Sequence, residues 1–143
     1  MIHNPSNEAR KKILEECKII AVVGLSNKPD RTSYMVSAAM QNAGYRIIPV
    51  NPVIAGETVL GEKVLSSLSE IDEQVDIVNV FRKSEDIIPV AEDTLKMKYK
   101  PRVFWMQQGI ANDEAAKLVG ETGIEVVNDL CIKVDHALLR IGK

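Results

Sequence analysis

The sequence predicts an α/β domain, a mostly parallel five-stranded sheet with helices on both faces. Three observations carry that prediction. Short apolar, β-branched runs recur along the 143 residues, helical patterns separate them, and glycines stand where helices hand over to strands. Alternating β and α units with uniformly apolar strands mark a parallel sheet buried from both sides.

A polar helix over Asn7 to Cys17 comes first, with Ser6 or Asn7 as its N-cap. Ile19–Leu25 is the first strand, broken at Gly24. A polar loop carrying Lys28, Pro29 and Arg31 leads to a helix over Thr32–Asn42, and Gly44 closes that helix as a C-terminal cap. Arg46–Asn51 is the second strand. Residues 52–73 are irregular: Gly56 and Gly61 mark turns, with a short strand at Thr58–Leu60 and a helical turn at Ser66–Ser69. Val75–Phe81 is the third main strand. A helix over Ser84–Met97 follows, its dipole complemented by Glu85 and Asp86. Arg102–Met106 is the fourth strand and places Trp105 in the core. A helix over Asn112–Gly120, the cap Gly123, a strand at Glu125–Val127 and a helix over Leu130–Ile141 complete the chain.

No repeat, linker or low-complexity tract interrupts this series, so residues 1–143 read as one domain. A hydrophobic content of 45% suits a single core of this size. Right-handed crossovers and the strand order 3-2-1-4-5 give a Rossmann-like sheet. Its ligand crevice is expected beyond the carboxyl ends of the strands, between the first and the fourth.

Composition narrows the function. A formal net charge of −2 offers no electrostatic case for nucleic acid or an anionic membrane as partner. No apolar run approaches the roughly 18 residues of a spanning helix. Met1 to Glu16 lacks the apolar core of a signal peptide, so a cytoplasmic location is expected. Cys17 and Cys131 stand far apart with no metal-ligand spacing, which argues against a disulfide framework or a zinc site. Neither His3 nor His136 has a visible triad partner, and the acidic residues suit solvation and capping better than acid–base work. No catalytic residue is assigned.

The first βα turn carries the clearest functional signal. A strand, Gly24 and a helix N-terminus in that order favour an anion, and Ser26, Lys28 and Arg31 lie in the turn. An ordinary βα connection is the competing reading. A dinucleotide fingerprint wants three glycines and a ribose-binding carboxylate. Here Ser26 and Pro29 replace the later glycines, and the second strand ends in Asn51-Pro52, which weighs against NAD(P) and an oxidoreductase. The remaining strand ends, Phe81-Arg82-Lys83, Gln107-Gln108-Gly109 and Asn128-Asp129, are expected to converge on the same crevice. Cys131 opens the last helix, where the dipole favours a thiolate. A buried inert cysteine is the alternative.

Taken in order, these residues resemble a known family. Val23-Gly24-Leu25-Ser26 with Pro29, Arg31 and Ser33 comes first, then Gly44-Tyr45-Arg46 leading to Pro49-Val50-Asn51-Pro52. Ser67-Leu68, Val75-Asp76-Ile77-Val78 with Phe81-Arg82, Trp105-Met106-Gln107 with Gly109-Ile110, and Val126-Val127 before Asp129 and Cys131 continue the match. From about residue 10 to 139 the chain resembles the small stand-alone CoA-binding proteins of bacteria and archaea. Their fold is similar to the CoA-binding domain of the succinyl-CoA synthetase α subunit. The chain departs from the family's usual pattern at Gln108, often Leu, and at Leu130, often Arg.

The resemblance implies coenzyme A, or an acyl-CoA, as ligand. Gly24, Ser26 and Arg31 would hold the pyrophosphate. Asn51 and Pro52 would line the adenosine side, with Phe81 and Arg82 across the crevice, and Gln107 and Gly109 beside the pantetheine arm. Succinyl-type ligases need further domains with a phosphohistidine and a nucleotide grasp, so a complete ligase is not expected. The implied role is a non-catalytic carrier, sensor or regulatory module. The alternatives are an NAD(P)-binding oxidoreductase and a subunit of a CoA-transferring complex.

Overall fold

The computed structural model describes residues 3–141, which form seven strands and five α-helices. Helix α1 (Asn7–Glu16) starts at Ser6, whose hydroxyl accepts the Ala9 N–H at 3.1 Å. It buries Ile13 and Leu14. Strand β1 (Ile19–Val23) then runs inside the sheet, paired on both sides. Its register is set by Asp76, whose carboxylate accepts the N–H groups of Lys18 and Ile19 at 2.8 and 3.0 Å. Helix α2 (Thr32–Asn42) ends before Gly44, which takes the positive φ of +107° expected of a C-terminal glycine. Strand β2 (Arg46–Val50) pairs parallel to β1.

The irregular stretch folds into a two-stranded antiparallel ribbon, β3 (Thr58–Val59) and β4 (Glu62–Lys63), and a 3-10 turn at Leu68–Glu70. The sequence showed the first arm of this ribbon and missed the second. Strand β5 (Ile77–Val80), helix α3 (Ile87–Leu95), β6 (Val103–Met106), α4 (Asp113–Gly120), β7 (Glu125–Val127) and α5 (Ile132–Leu138) follow. A separate 3-10 turn, Ser84–Asp86, precedes α3, so that helix starts later than the periodicity predicts.

All contacts in the five-stranded sheet are parallel, and its order is β2-β1-β5-β6-β7. The α/β class and the Rossmann-like sheet hold. One correction concerns which segment is third. Val75–Phe81 does not lie beyond β2; it packs beside β1, so the five main strands run 2-1-3-4-5. The outer position beyond β2 belongs to Leu65 alone, through a single parallel bridge to Val50. The crevice expected between the first strand and the fourth therefore falls between the first and the third. The cause is local: Gly56 and Gly61 turn the chain into the β3–β4 ribbon, leaving no run long enough to pair as a strand. The strand order therefore reverses between β1 and β5, and the crevice lies there.

Each face of the sheet carries its own apolar layer. Ala21, Val23, Val78, Val80 and Phe104 meet α3 and α4 through Ile87, Val90, Ala115 and Val119. On the other face Ile20, Val22, Ile77 and Trp105 meet α1, α2 and α5 through Leu14, Met40 and Ile132. Trp105 is fully buried, as expected, and its indole N–H donates to the Leu130 carbonyl at 2.9 Å. Cys17 is buried beside Tyr45 in this second layer. The Tyr45 hydroxyl donates to the Leu14 carbonyl, and burial pushes its pKa up to about 12.

Candidate functional site

Two hollows open at the carboxyl ends of β1 and β5, one on each side of the sheet. Between them Gly24 and Phe81 touch. The Gly24 N–H donates to the Val50 carbonyl at 2.8 Å and the Phe81 N–H to the Val23 carbonyl at 2.9 Å, so the ladders continue past the strand ends. Gly24 has φ +87°, and a Cβ there would collide with the Phe81 carbonyl, standing 3.2 Å from its carbon. Only glycine lets the two backbones approach this closely.

The first hollow, of about 440 Å³, is lined by Gly24, Ser26, Lys28, Arg31, Ser33 and Phe81, together with Thr32. Its loop is built by serines: the buried Ser33 hydroxyl accepts the Ser26 N–H, and the Ser26 hydroxyl accepts the Lys28 N–H, both at 3.0 Å. Arg31 occupies the N-cap of α2 in an extended conformation, and no side chain caps the helix there. The first-turn N–H groups, which have no partner within a helix, therefore face an opening with two cations and no carboxylate in its wall. Among the described residues, neither Lys28 nor Arg31 has an ion-pair partner.

The second hollow, of about 290 Å³, lies on the α3 side. Its floor is apolar, with Val23, Val50, Leu68 and Val90, and its rim carries Pro52, Arg82, Ser66, Ser67, Asp86 and Asp93. The serine rim is held by Glu70. Its carboxylate accepts from the Ser66 hydroxyl and from the N–H groups of Ser66 and Ser67, and these bonds, the hydroxyl's foremost, keep its pKa below the ordinary value.

Seven of the residues singled out from the sequence thus line these hollows: Gly24, Ser26, Lys28, Arg31 and Phe81 in the first, Pro52 and Arg82 in the second. Asn51 stands behind them as a brace. Its amide donates to the Leu25 carbonyl at 3.1 Å while its oxygen accepts the Val53 N–H at 3.0 Å, which ties the first turn to the end of β2. Gln107 is buried at 3% exposure. Its oxygen accepts from the buried Asn79 amide at 3.3 Å and from the Ile132 N–H at 3.4 Å, linking β5 to the start of α5. Gly109 is exposed, and its N–H donates to Asp129 at 2.6 Å, clasping two neighbouring loops. Cys131 is half-buried at the N-cap of α5 and packs against the α1–α2–α5 layer rather than lining either hollow. The sequence reading left out Asp86 and Asp93, which one turn of α3 and the turn before it bring to the second rim.

Comparison with known proteins decides what this crevice belongs to. The family described as CoA binding domain matches residues 18–137, which contain every strand of the sheet and the lining of both hollows. The chain belongs to that family. This CoA-binding domain is 55% identical, over 97% of its length and all of the relative's, to the uncharacterized protein YneT of Bacillus subtilis. It is also similar to two solved structures. The first is cell-free ID.343 from Thermus thermophilus, with TM-score 0.89 and 35% identity, covering 94% of this chain and 99% of that one. The second is a hypothetical protein from Pyrococcus horikoshii OT3, with TM-score 0.88 and 31% identity, covering 98% of each chain. Among the described residues, no helix of the CoA-binding domain is long and apolar enough to cross a membrane, and no group of three His, Cys, Asp or Glu is placed to hold a metal ion.

Proposed function

We propose that the crevice between β1 and β5 holds coenzyme A or an acyl-CoA, with its phosphates in the first hollow, and that the protein acts as a non-catalytic carrier, sensor or regulatory module of the cytoplasm. One observation carries the ligand reading. The uncapped N-terminus of α2 faces a hollow whose wall contributes Lys28 and Arg31 and no acid. Neither Cys17 nor Cys131 is in a disulfide, which is consistent with a reducing compartment. The carboxyl end of β2 offers a braced Asn51 and no carboxylate for ribose hydroxyls, which favours CoA over a nicotinamide cofactor. Isothermal titration with CoA, NAD and NADP tests this directly: CoA binds most tightly, and tighter binding of either nicotinamide cofactor overturns the assignment.

The phosphate contact has its own test. Arg31→Ala weakens CoA binding by about 1–3 kcal/mol, the range for losing a hydrogen bond to a charged group. Pantetheine, which lacks the phosphates, is unaffected. An equal loss for both ligands assigns Arg31 to loop order instead.

The ligand thiol is proposed to come within reach of Cys131, the more accessible of the two cysteines, since Cys17 is 1% exposed. Incubation with CoA disulfide then yields a mixed disulfide: the Cys131 thiolate attacks one sulfur, and one CoA leaves as its thiol. Intact mass shows a single CoA adduct that reductant removes and Cys131→Ser abolishes. No adduct, or one that survives in the serine variant, refutes the contact.

A further inference from the structure

The outer strand β7 is the end of the sheet farthest from β2. In a parallel ladder, alternate residues turn their main-chain groups to opposite neighbours. The Glu125 N–H donates inward, to the Arg102 carbonyl at 3.0 Å, so Val126 and Asn128 present theirs to the open side. Such an edge is a template for another strand.

One of its two outward positions is already taken. The Asn4 side chain lies against Asn128: its oxygen accepts the Asn128 N–H at 2.6 Å and its amide donates to the Asn128 carbonyl at 2.8 Å. A single carboxamide thus reproduces both bonds that a paired strand would make. Pro5 follows, with no N–H of its own to offer a further strand. Its carbonyl is held at 2.6 Å by Arg10, whose guanidinium is bonded in turn to Asp135 and Asn7. Residues 3–5 therefore form a strap anchored from behind by α1 and α5. Beside it, a hollow of about 450 Å³ between the strap and α4 leaves Val126 at its wall.

We propose that this strap is an edge lock: by occupying the Asn128 main chain, Asn4 keeps a second copy of the chain from adding its own β7 to the sheet. Unlocked, two β7 edges meet antiparallel about a two-fold axis, the closed arrangement open to identical strands.

Amide hydrogen exchange and sedimentation over a range of concentrations test the lock. Asn4→Ala makes the Asn128 amide exchange about tenfold faster, as loss of one hydrogen bond predicts, and shifts the chain to a larger species than the wild type forms. Asn4→Ala/Val126→Pro returns it to the wild-type species, because the Val126 N–H faces outward and proline there removes no ladder bond. Unchanged exchange at Asn128, unchanged association of Asn4→Ala, or association that survives the added proline each overturns the proposal.

Discussion

Gly24→Ala lowers the folding stability by about 3 kcal/mol or more and abolishes CoA binding. Two costs add at this position. A left-handed φ of +87° strains any residue with a Cβ, and here the Cβ also drives into the Phe81 carbonyl. That oxygen belongs to the backbone just past the end of β5, so relief requires the ends of β1 and β5 to separate at the point where the two hollows meet. Gly109→Ala is the matched control. Its φ is +85°, but nothing lies within 4 Å of its Cβ position, so it carries the strain alone, about 1 kcal/mol. Urea denaturation of both variants at equal slope isolates the close approach as the difference between them. Equal losses in the two would show that the Gly24–Phe81 contact yields freely and that the site does not depend on it.

Arg10→Ala costs about 3–5 kcal/mol, the range for stripping one partner from a buried ion pair. Arg10 and Asp135 are 2.8 Å apart, with side chains only 11% and 8% exposed. Without the guanidinium, the carboxylate on α5 stays in the layer between α1 and α5 with no cation opposite, and the Pro5 carbonyl and Asn7 lose their donor as well. Adding Asp135→Asn removes the stranded charge, so the double variant is more stable than the sum of the single losses predicts. Chemical denaturation of the four proteins measures the coupling. A loss within about 1 kcal/mol for Arg10→Ala would place the pair with solvent-screened surface bridges.

The elements were legible because their signals are short-range. Ser6 was readable as a cap, and its side chain accepts the N–H group three residues on. The apolar runs at Ile19 and Val103 announce strands buried on both sides, and the sheet covers both of their faces. The first turn was readable for the same reason: the glycine, the two cations and the helix start all lie within residues 24–32. Asp86 and Asp93 were not, because acids beside a helix look like solvated or capping groups until α3 is docked against β1 and β5. The family resemblance placed Gln107 beside the ligand's arm. What local pattern does not reveal is that Asn79, buried in the neighbouring strand, faces its carbonyl oxygen.

The sequence by itself determined the α/β class, the parallel sheet, the helix and strand boundaries to within a few residues, and the strand ends from which a crevice is built. Each follows from residue type and periodicity over a few turns of chain. The tertiary structure alone decided that Leu65 takes the position beyond β2, since a single bridged residue has no pattern to read. It also decided that Asn51 spends both ends of its amide inside the protein, and that Asn4 completes an edge 124 residues away. The physical reason is the same in these cases. A polar side chain carries donors and acceptors that satisfy themselves with whatever the fold brings near, and the partner's identity is written in the packing of distant segments rather than in the neighbouring letters.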